Sequence, residues 1–158
     1  MLKISSSWRV WLLAYAPLFL WLGVIFFLSS GSGSSAETSR IIGPLIAFFF
    51  PNADDGTVAL VHASVRKAAH VTEYAILASL ASRAFIRSSA SLLRKCWGLW
   101  AILLVALTAS IDEFNQSFNV MRTGSSLDTL LDISGGLLAI VLIRLFVNRK
   151  KRSAKPAF

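Results

Sequence analysis

The chain has 158 residues, of which 55% are hydrophobic and only 15% are charged, and its mean hydropathy is +0.64. Soluble domains carry about 25% charged residues, so this composition excludes an ordinary soluble domain and predicts an integral membrane protein. The length accommodates one domain, residues 1–158, with about four spans and no separate soluble module. The single cysteine excludes an intramolecular disulfide and a cysteine-rich metal site.

Four apolar segments are each near the ~20 residues that a helix needs to cross a bilayer. They cover residues 8–28, 68–86, 96–114 and 127–147, and they predict an all-α, four-transmembrane-helix bundle. A cleaved signal peptide is the alternative for the first segment, but its apolar run is longer than a typical signal core. The loop before the second span contains a shorter apolar stretch, residues 41–50. Its length favours a short interfacial or re-entrant segment.

Basic residues are unevenly distributed between the two sides of the predicted bundle. With a cytoplasmic N-terminus, twelve of the 16 lysines and arginines lie on the cytoplasmic side, and every acidic residue lies on the other side. The positive-inside rule therefore predicts cytoplasmic N- and C-termini, a basic cytoplasmic tail at residues 148–158 and an extracytoplasmic first loop. The tail directly follows an apolar segment, and a basic run in that position is attracted to anionic lipid headgroups. This explains its charge, so we expect no nucleic-acid partner.

Polar residues lie at the ends of the predicted spans, although a charged side chain costs roughly 2.5–3.5 kcal/mol at a transmembrane helix centre. Arg66, His70 and Glu73 are spaced to lie on one helix face, with Lys67 beside them. The third span ends with three polar residues and the fourth begins with two. These five residues are Asp112, Glu113 and Gln116, followed by Asp128 and Asp132. All these helix ends lie on one side of the membrane, so the polar faces can converge into one site.

The residue types indicate how such a site could act. Cationic side chains suit a phosphate group, and carboxylates suit a divalent cation. The candidate ligand-binding residues are Arg66, Lys67, Gln116, Arg122, Asp128 and Asp132. The candidate metal ligands are Asp112, Glu113 and Asp132, and the candidate catalytic residues are His70, Glu73, Asp112 and Glu113, with His70 as general acid or base. Asp128 also has a structural explanation, because it lies three residues after Ser125 in a capping-box pattern.

Linked motifs occur in order around these residues. Residues 66–74 read RKAAHVTEY, residues 112–118 read DEFNQSF, and residues 122–128 read RTGSSLD, followed by Asp132 and the pair Gly135-Gly136. Together they resemble the VanZ-like family over roughly residues 26–147. The chain departs from the family at Gly31, where a glutamine is often found. The resemblance implies a small multi-pass protein of the bacterial cytoplasmic (inner) membrane, in a family named for resistance to the glycopeptide teicoplanin.

Three functions fit these observations. The first is binding, with or without processing, of an anionic envelope lipid or lipid-linked precursor by the charged site, with a divalent cation as the candidate cofactor. The second is a non-catalytic module that binds lipid, glycopeptide or an envelope-synthesis partner, while its charges form a buried structural lattice. The third is a proton-coupled transporter, since intramembrane histidines and carboxylates often relay protons. Four short spans would then require an oligomer.

Overall fold

The computed structural model describes residues 6–29, 35–117 and 126–153, and it contains no strand within those ranges. Six helices account for nearly all of them. They are α1 (Ser6–Phe27), α2 (Ser35–Phe49), α3 (Asp55–Ile86), α4 (Ser91–Lys95), α5 (Trp97–Ser117) and α6 (Ser126–Ser153). The predicted all-helical class is therefore confirmed. Helix α3 is central, because it packs against α1, α5 and α6.

Two of the described helices are long and apolar enough to cross a membrane. They contribute Trp97–Ser117 in α5 and Leu127–Arg149 in α6, while α1 contributes a shorter apolar stretch, Trp11–Phe27. Helix α3 does not meet the same criterion because charged and other polar residues lower its mean hydropathy. The helices support a membrane protein, whereas the predicted bundle of four transmembrane helices is not confirmed.

Helix α3 is longer than the sequence pattern indicated. It has 32 residues and begins at Asp55, so it includes the last part of the predicted loop as well as the predicted span 68–86. The Asp54 carboxylate caps it by accepting a hydrogen bond of 2.6 Å from the Thr57 backbone N–H. Residues 41–49 of the apolar stretch form the C-terminal part of α2, whose 15 residues are too few to span a bilayer. Its position relative to the membrane stays a prediction.

Helix α1 is joined to α3 at two places along its length. Pro17 has no N–H to donate to the Leu13 carbonyl one turn earlier, and the Arg83 guanidinium donates to that carbonyl instead, at 2.7 Å. Further along α1, the Trp21 indole Nε1–H donates to the Glu73 carbonyl oxygen at 3.0 Å. Because Leu13 pairs with Arg83 and Trp21 with Glu73, the two helices run antiparallel.

Two adjacent glycines let α6 approach both α3 and α5 closely. A Cβ atom at Gly135 would overlap the backbone carbonyl of Val71 and lie 3.1 Å from its Cα atom. A Cβ atom at Gly136 would lie 2.8 Å from the Val105 Cγ1 atom. Small residues allow such close helix contacts in membrane proteins. The pair therefore sets the distance of α6 from the two helices beside it.

The outer surface of the helices is apolar. Large hydrophobic side chains are exposed on each long helix, among them Leu20 on α1, Leu60 on α3, Leu107 on α5 and Phe146 on α6. Soluble monomers rarely expose so much apolar surface. The exposed side chains therefore support a membrane protein, in agreement with the composition.

We expect Gly135→Ala to lower the free energy of unfolding by about 1–3 kcal/mol, because the Val71 backbone cannot move aside as a flexible side chain would. Gly23→Ala is the matched control: no atom lies within 4 Å of its added Cβ. That change should be neutral or stabilising by up to about 1 kcal/mol, since alanine is the better helix former. Thermal unfolding in detergent measures both. Equal unfolding midpoints for the two variants would contradict the glycine contact.

Candidate functional site

Three helices bring one histidine and two aspartates together at one end of the fold. One ligand-capable atom from each of His70, Asp112 and Asp132 lies within 4.8 Å of the other two. The His70 Nδ1 atom is 3.6 Å from the Asp132 Oδ1 atom. Asp112 and Asp132 are each only 3% exposed, and His70 is partly buried. We call these three residues the His-Asp-Asp cluster.

Tyr74 positions one carboxylate of the His-Asp-Asp cluster. It lies four residues after His70 on the same face of α3, and its side chain is fully buried. Its hydroxyl donates a hydrogen bond of 3.0 Å to the Asp112 Oδ2 atom. The Oδ1 atoms of Asp112 and Asp132 are also buried, and neither has a hydrogen-bond partner among the described residues. Buried carboxylate oxygens are costly without a partner, so these two atoms are available to a ligand.

Two cavities share His70 in their lining, and we call them the polar cavities because most of their lining residues are polar. The first, of about 90 Å³, lies between α3 and α6, and the second, of about 180 Å³, lies between α1, α3 and α5. Polar residues lining the first are Arg66, Lys67, His70, Asp128 and Asp132; those lining the second are Ser29, Arg66, His70, Glu73, Asp112 and Gln116. Since Arg66 and His70 line both cavities, a molecule in either one meets a cation and the imidazole.

An apolar groove adjoins the second polar cavity. It lies between α1 and α3, has a volume of about 500 Å³, and is lined mainly by hydrophobic side chains, with Thr72 and Glu73 as the polar exceptions. Leu28, Val65, Ala69 and Glu73 line both the groove and the second cavity. The side of the molecule between α1 and α3 therefore changes from apolar to polar within one continuous surface.

The structure places most of the predicted site residues around these two cavities. Arg66, Lys67, His70, Glu73, Asp112, Gln116, Asp128 and Asp132 all line one or both. Glu113 is partly buried and is not among the lining residues or the His-Asp-Asp cluster. Arg122, and the Ser125 of the suggested capping box, lie outside the described residues. Of the predicted metal ligands, Asp112 and Asp132 come together with His70, which was predicted as a catalytic residue. The role of Glu113 stays a prediction.

Two residues of the site were not among the predicted set. Tyr74 was detectable in principle, because its spacing from His70 puts both on one helix face. Ser29 lines the second cavity, is 4% exposed, and has no hydrogen-bond partner for its hydroxyl among the described residues. Ser29 belongs to the segment 27–30, which resembles the end of the family's first span, but its place in the cavity depends on how the end of α1 packs against α3.

These features support a helical membrane protein with a buried polar site between the middle of α3, the end of α5 and the start of α6. A family model, VanZ/LLP1, matches residues 13–147, and the chain belongs to this family. The resemblance seen in the sequence motifs is therefore confirmed. Membership supports a membrane protein of the cell envelope linked to teicoplanin resistance. No curated protein and no solved structure matches the chain significantly.

The Tyr74–Asp112 hydrogen bond predicts a coupling between the two side chains. Tyr74→Phe should lower the free energy of unfolding by about 1–3 kcal/mol, because it removes a buried donor from a carboxylate. In an Asp112→Leu background, the tyrosine hydroxyl has lost its acceptor, so the same change should cost nothing or stabilise. Thermal unfolding of the four proteins measures the coupling. An equal effect of Tyr74→Phe in both backgrounds would show that the bond does not contribute.

Proposed function

We propose that this protein binds the phosphate-bearing headgroup of an anionic envelope lipid, or of a lipid-linked envelope precursor, in the polar cavities around His70. One observation carries the proposal: the polar cavity lined by Arg66 adjoins the apolar groove between α1 and α3. An amphiphile needs such a pair of surfaces, one for its headgroup and one for its chain. A soluble anion would have no use for the groove.

The headgroup would lie toward the cationic side of the site. Arg66 lines both polar cavities and Lys67 lines the first, so a phosphate in either cavity meets a cation. A guanidinium can donate two parallel hydrogen bonds to phosphate, which makes Arg66 the stronger anchor. The carboxylates of Asp112 and Asp132 repel an anion. They favour a phosphate position near Arg66, one helical turn before His70 on α3.

The hydrocarbon chain would lie in the groove between α1 and α3. Residues such as Leu28, Val65 and Ile76 line it, and the exposed side chains beyond it are apolar. Burial of each methylene group contributes about 0.8 kcal/mol relative to water. In a bilayer this gain is absent, so the groove determines the position of the chain rather than the affinity. Recognition then depends on the headgroup contacts.

Native mass spectrometry of protein released from its own membrane tests the proposal. Wild-type protein should retain a phosphate-bearing lipid. The Arg66→Gln variant should retain at most about one tenth of that amount, because a hydrogen bond to a charged group contributes about 1.5–3 kcal/mol. Arg87→Gln is the matched control, because Arg87 is exposed at the other end of α3. Added phosphatidylglycerol should restore the lipid on the stripped wild-type protein. Equal retention by Arg66→Gln and Arg87→Gln would overturn the proposal.

We also propose that the protein lies in the bacterial inner membrane with all four long helices crossing it and both termini cytoplasmic. The charge distribution supports this arrangement, since Arg83, Arg87 and Arg144 lie toward the end opposite the His-Asp-Asp cluster. The site would then open toward the outer leaflet, where envelope precursors are used.

The exposed Cys96, as the single cysteine, reports the orientation directly. In spheroplasts, a membrane-impermeant maleimide should label Cys96 only after permeabilisation, because the α4–α5 junction is expected on the cytoplasmic side. A Cys96→Ser, Asn52→Cys variant should be labelled without permeabilisation, since Asn52 is exposed in the first loop. The reverse pattern of labelling would contradict the orientation.

A further inference from the structure

We infer that His70, Asp112 and Asp132 form a binding site for one divalent transition-metal ion, of the Zn²⁺ or Mn²⁺ type. The inference stands on the geometry of the His-Asp-Asp cluster and does not depend on the proposed lipid. It joins His70 to two of the metal ligands predicted from the sequence, Asp112 and Asp132.

The distances within the cluster suit a shared ion. Bonds from Zn²⁺ to nitrogen and oxygen ligands are about 2.0–2.2 Å long, so neighbouring ligand atoms of a tetrahedral site lie roughly 3.4 Å apart. The His70 Nδ1 and Asp132 Oδ1 atoms are 3.6 Å apart. The three candidate ligand atoms all lie within 4.8 Å of one another. Side-chain rotations that draw the widest pair inward by up to roughly 1.4 Å would complete the geometry.

The two aspartates are held as ligands rather than as members of a closed hydrogen-bond network. Both are 3% exposed, and each has an Oδ1 atom with no hydrogen-bond partner among the described residues. The other oxygen of Asp112 accepts from the buried Tyr74 hydroxyl. Proteins orient a metal-binding carboxylate by a hydrogen bond to one of its oxygens, which leaves the other oxygen to bind the metal. A dication would also compensate two carboxylates in an apolar surrounding.

The mixed ligand set indicates the kind of ion. Imidazole suits Zn²⁺ and other first-row transition metals, carboxylates suit Mn²⁺ as well, and Mg²⁺ and Ca²⁺ favour oxygen ligands throughout. Three protein ligands leave at least one coordination position open. His70 lines both polar cavities, so water or an oxyanion could reach that position from either side.

Metal analysis of tag-free protein, purified without chelator, tests the site. After stripping with EDTA, wild-type protein should bind about one equivalent of added Zn²⁺ or Mn²⁺, as three protein ligands of one site require. Comparing the two ions identifies the preferred one. His70→Gln and Asp132→Asn should lose the binding, and Tyr74→Phe should weaken it by about 10–100-fold, as loss of an outer partner typically does. Asp55→Asn, an exposed acid in the first turn of α3, is the control that keeps it.

Two further measurements keep the inference falsifiable if a cluster variant fails to fold. When Co²⁺ is added to stripped wild-type protein, the absorption spectrum of the ion should indicate a nitrogen ligand. When Zn²⁺ or Mn²⁺ is added instead, the unfolding temperature should rise to a saturating value. Arg66→Gln should bind the ion like the wild type, so loss of the lipid and loss of the metal are told apart. The inference would be overturned if the wild type showed no saturable metal binding, or if Asp132→Asn bound the metal as well as the wild type. The two aspartates would then be a pair of carboxylates that share protons.

Discussion

The close contact of α6 with the backbone of α3 is the constraint on which the rest of the site depends. Gly135 lies against Val71 with no room for a Cβ atom, and Asp132 precedes it by three residues on the same helix. Val71 directly follows His70, so the same contact brings Asp132 to 3.6 Å from the imidazole. A wider separation of the two helices would move the carboxylate out of reach. The glycine therefore has a structural role with a direct consequence for the chemistry.

In the proposed membrane orientation, the position of the polar residues along the helices reduces the cost of burying them. A charge is most costly at the centre of a bilayer and less so near its surface. The His-Asp-Asp cluster lies where α5 ends and α6 begins, and the cations Arg66 and Lys67 lie one turn further toward the same end. Tyr74 satisfies one oxygen of Asp112 within the apolar part. In the proposed orientation the site lies near the bilayer surface, where a polar ligand can reach it.

Helix α1 forms the side of the molecule on which a lipid could enter. It is held to α3 by the hydrogen bonds from Arg83 to Leu13 and from Trp21 to Glu73, with Pro17 creating the acceptor for the first. The apolar groove lies between the C-terminal part of α1 and α3, where Trp21 and Leu28 line it, and it adjoins the second polar cavity. The same helix pair thus joins a surface suited to hydrocarbon to one suited to phosphate.

Some of this could be predicted from the sequence. Composition and the long apolar runs indicated a helical membrane protein, and the linked motifs indicated the family, because both are properties of residues near one another along the chain. Helical spacing also placed His70 and Glu73 on one side of α3. The start of α3 at Asp55 was missed, since its first part is too polar to read as a span and is defined by the Asp54 cap.

Which acid enters the cluster could only be decided by the tertiary structure. Asp112 and Glu113 are adjacent, and successive residues of a helix point about 100° apart, so only the packing of α5 determines which one faces His70. The pairing of Asp132 with His70, the two cavities and the role of Ser29 likewise depend on contacts between helices. Local sequence determines where a side chain lies on its own helix. The rotation and distance of one helix relative to the next are set by small residues such as Gly135, whose partners lie far away along the chain.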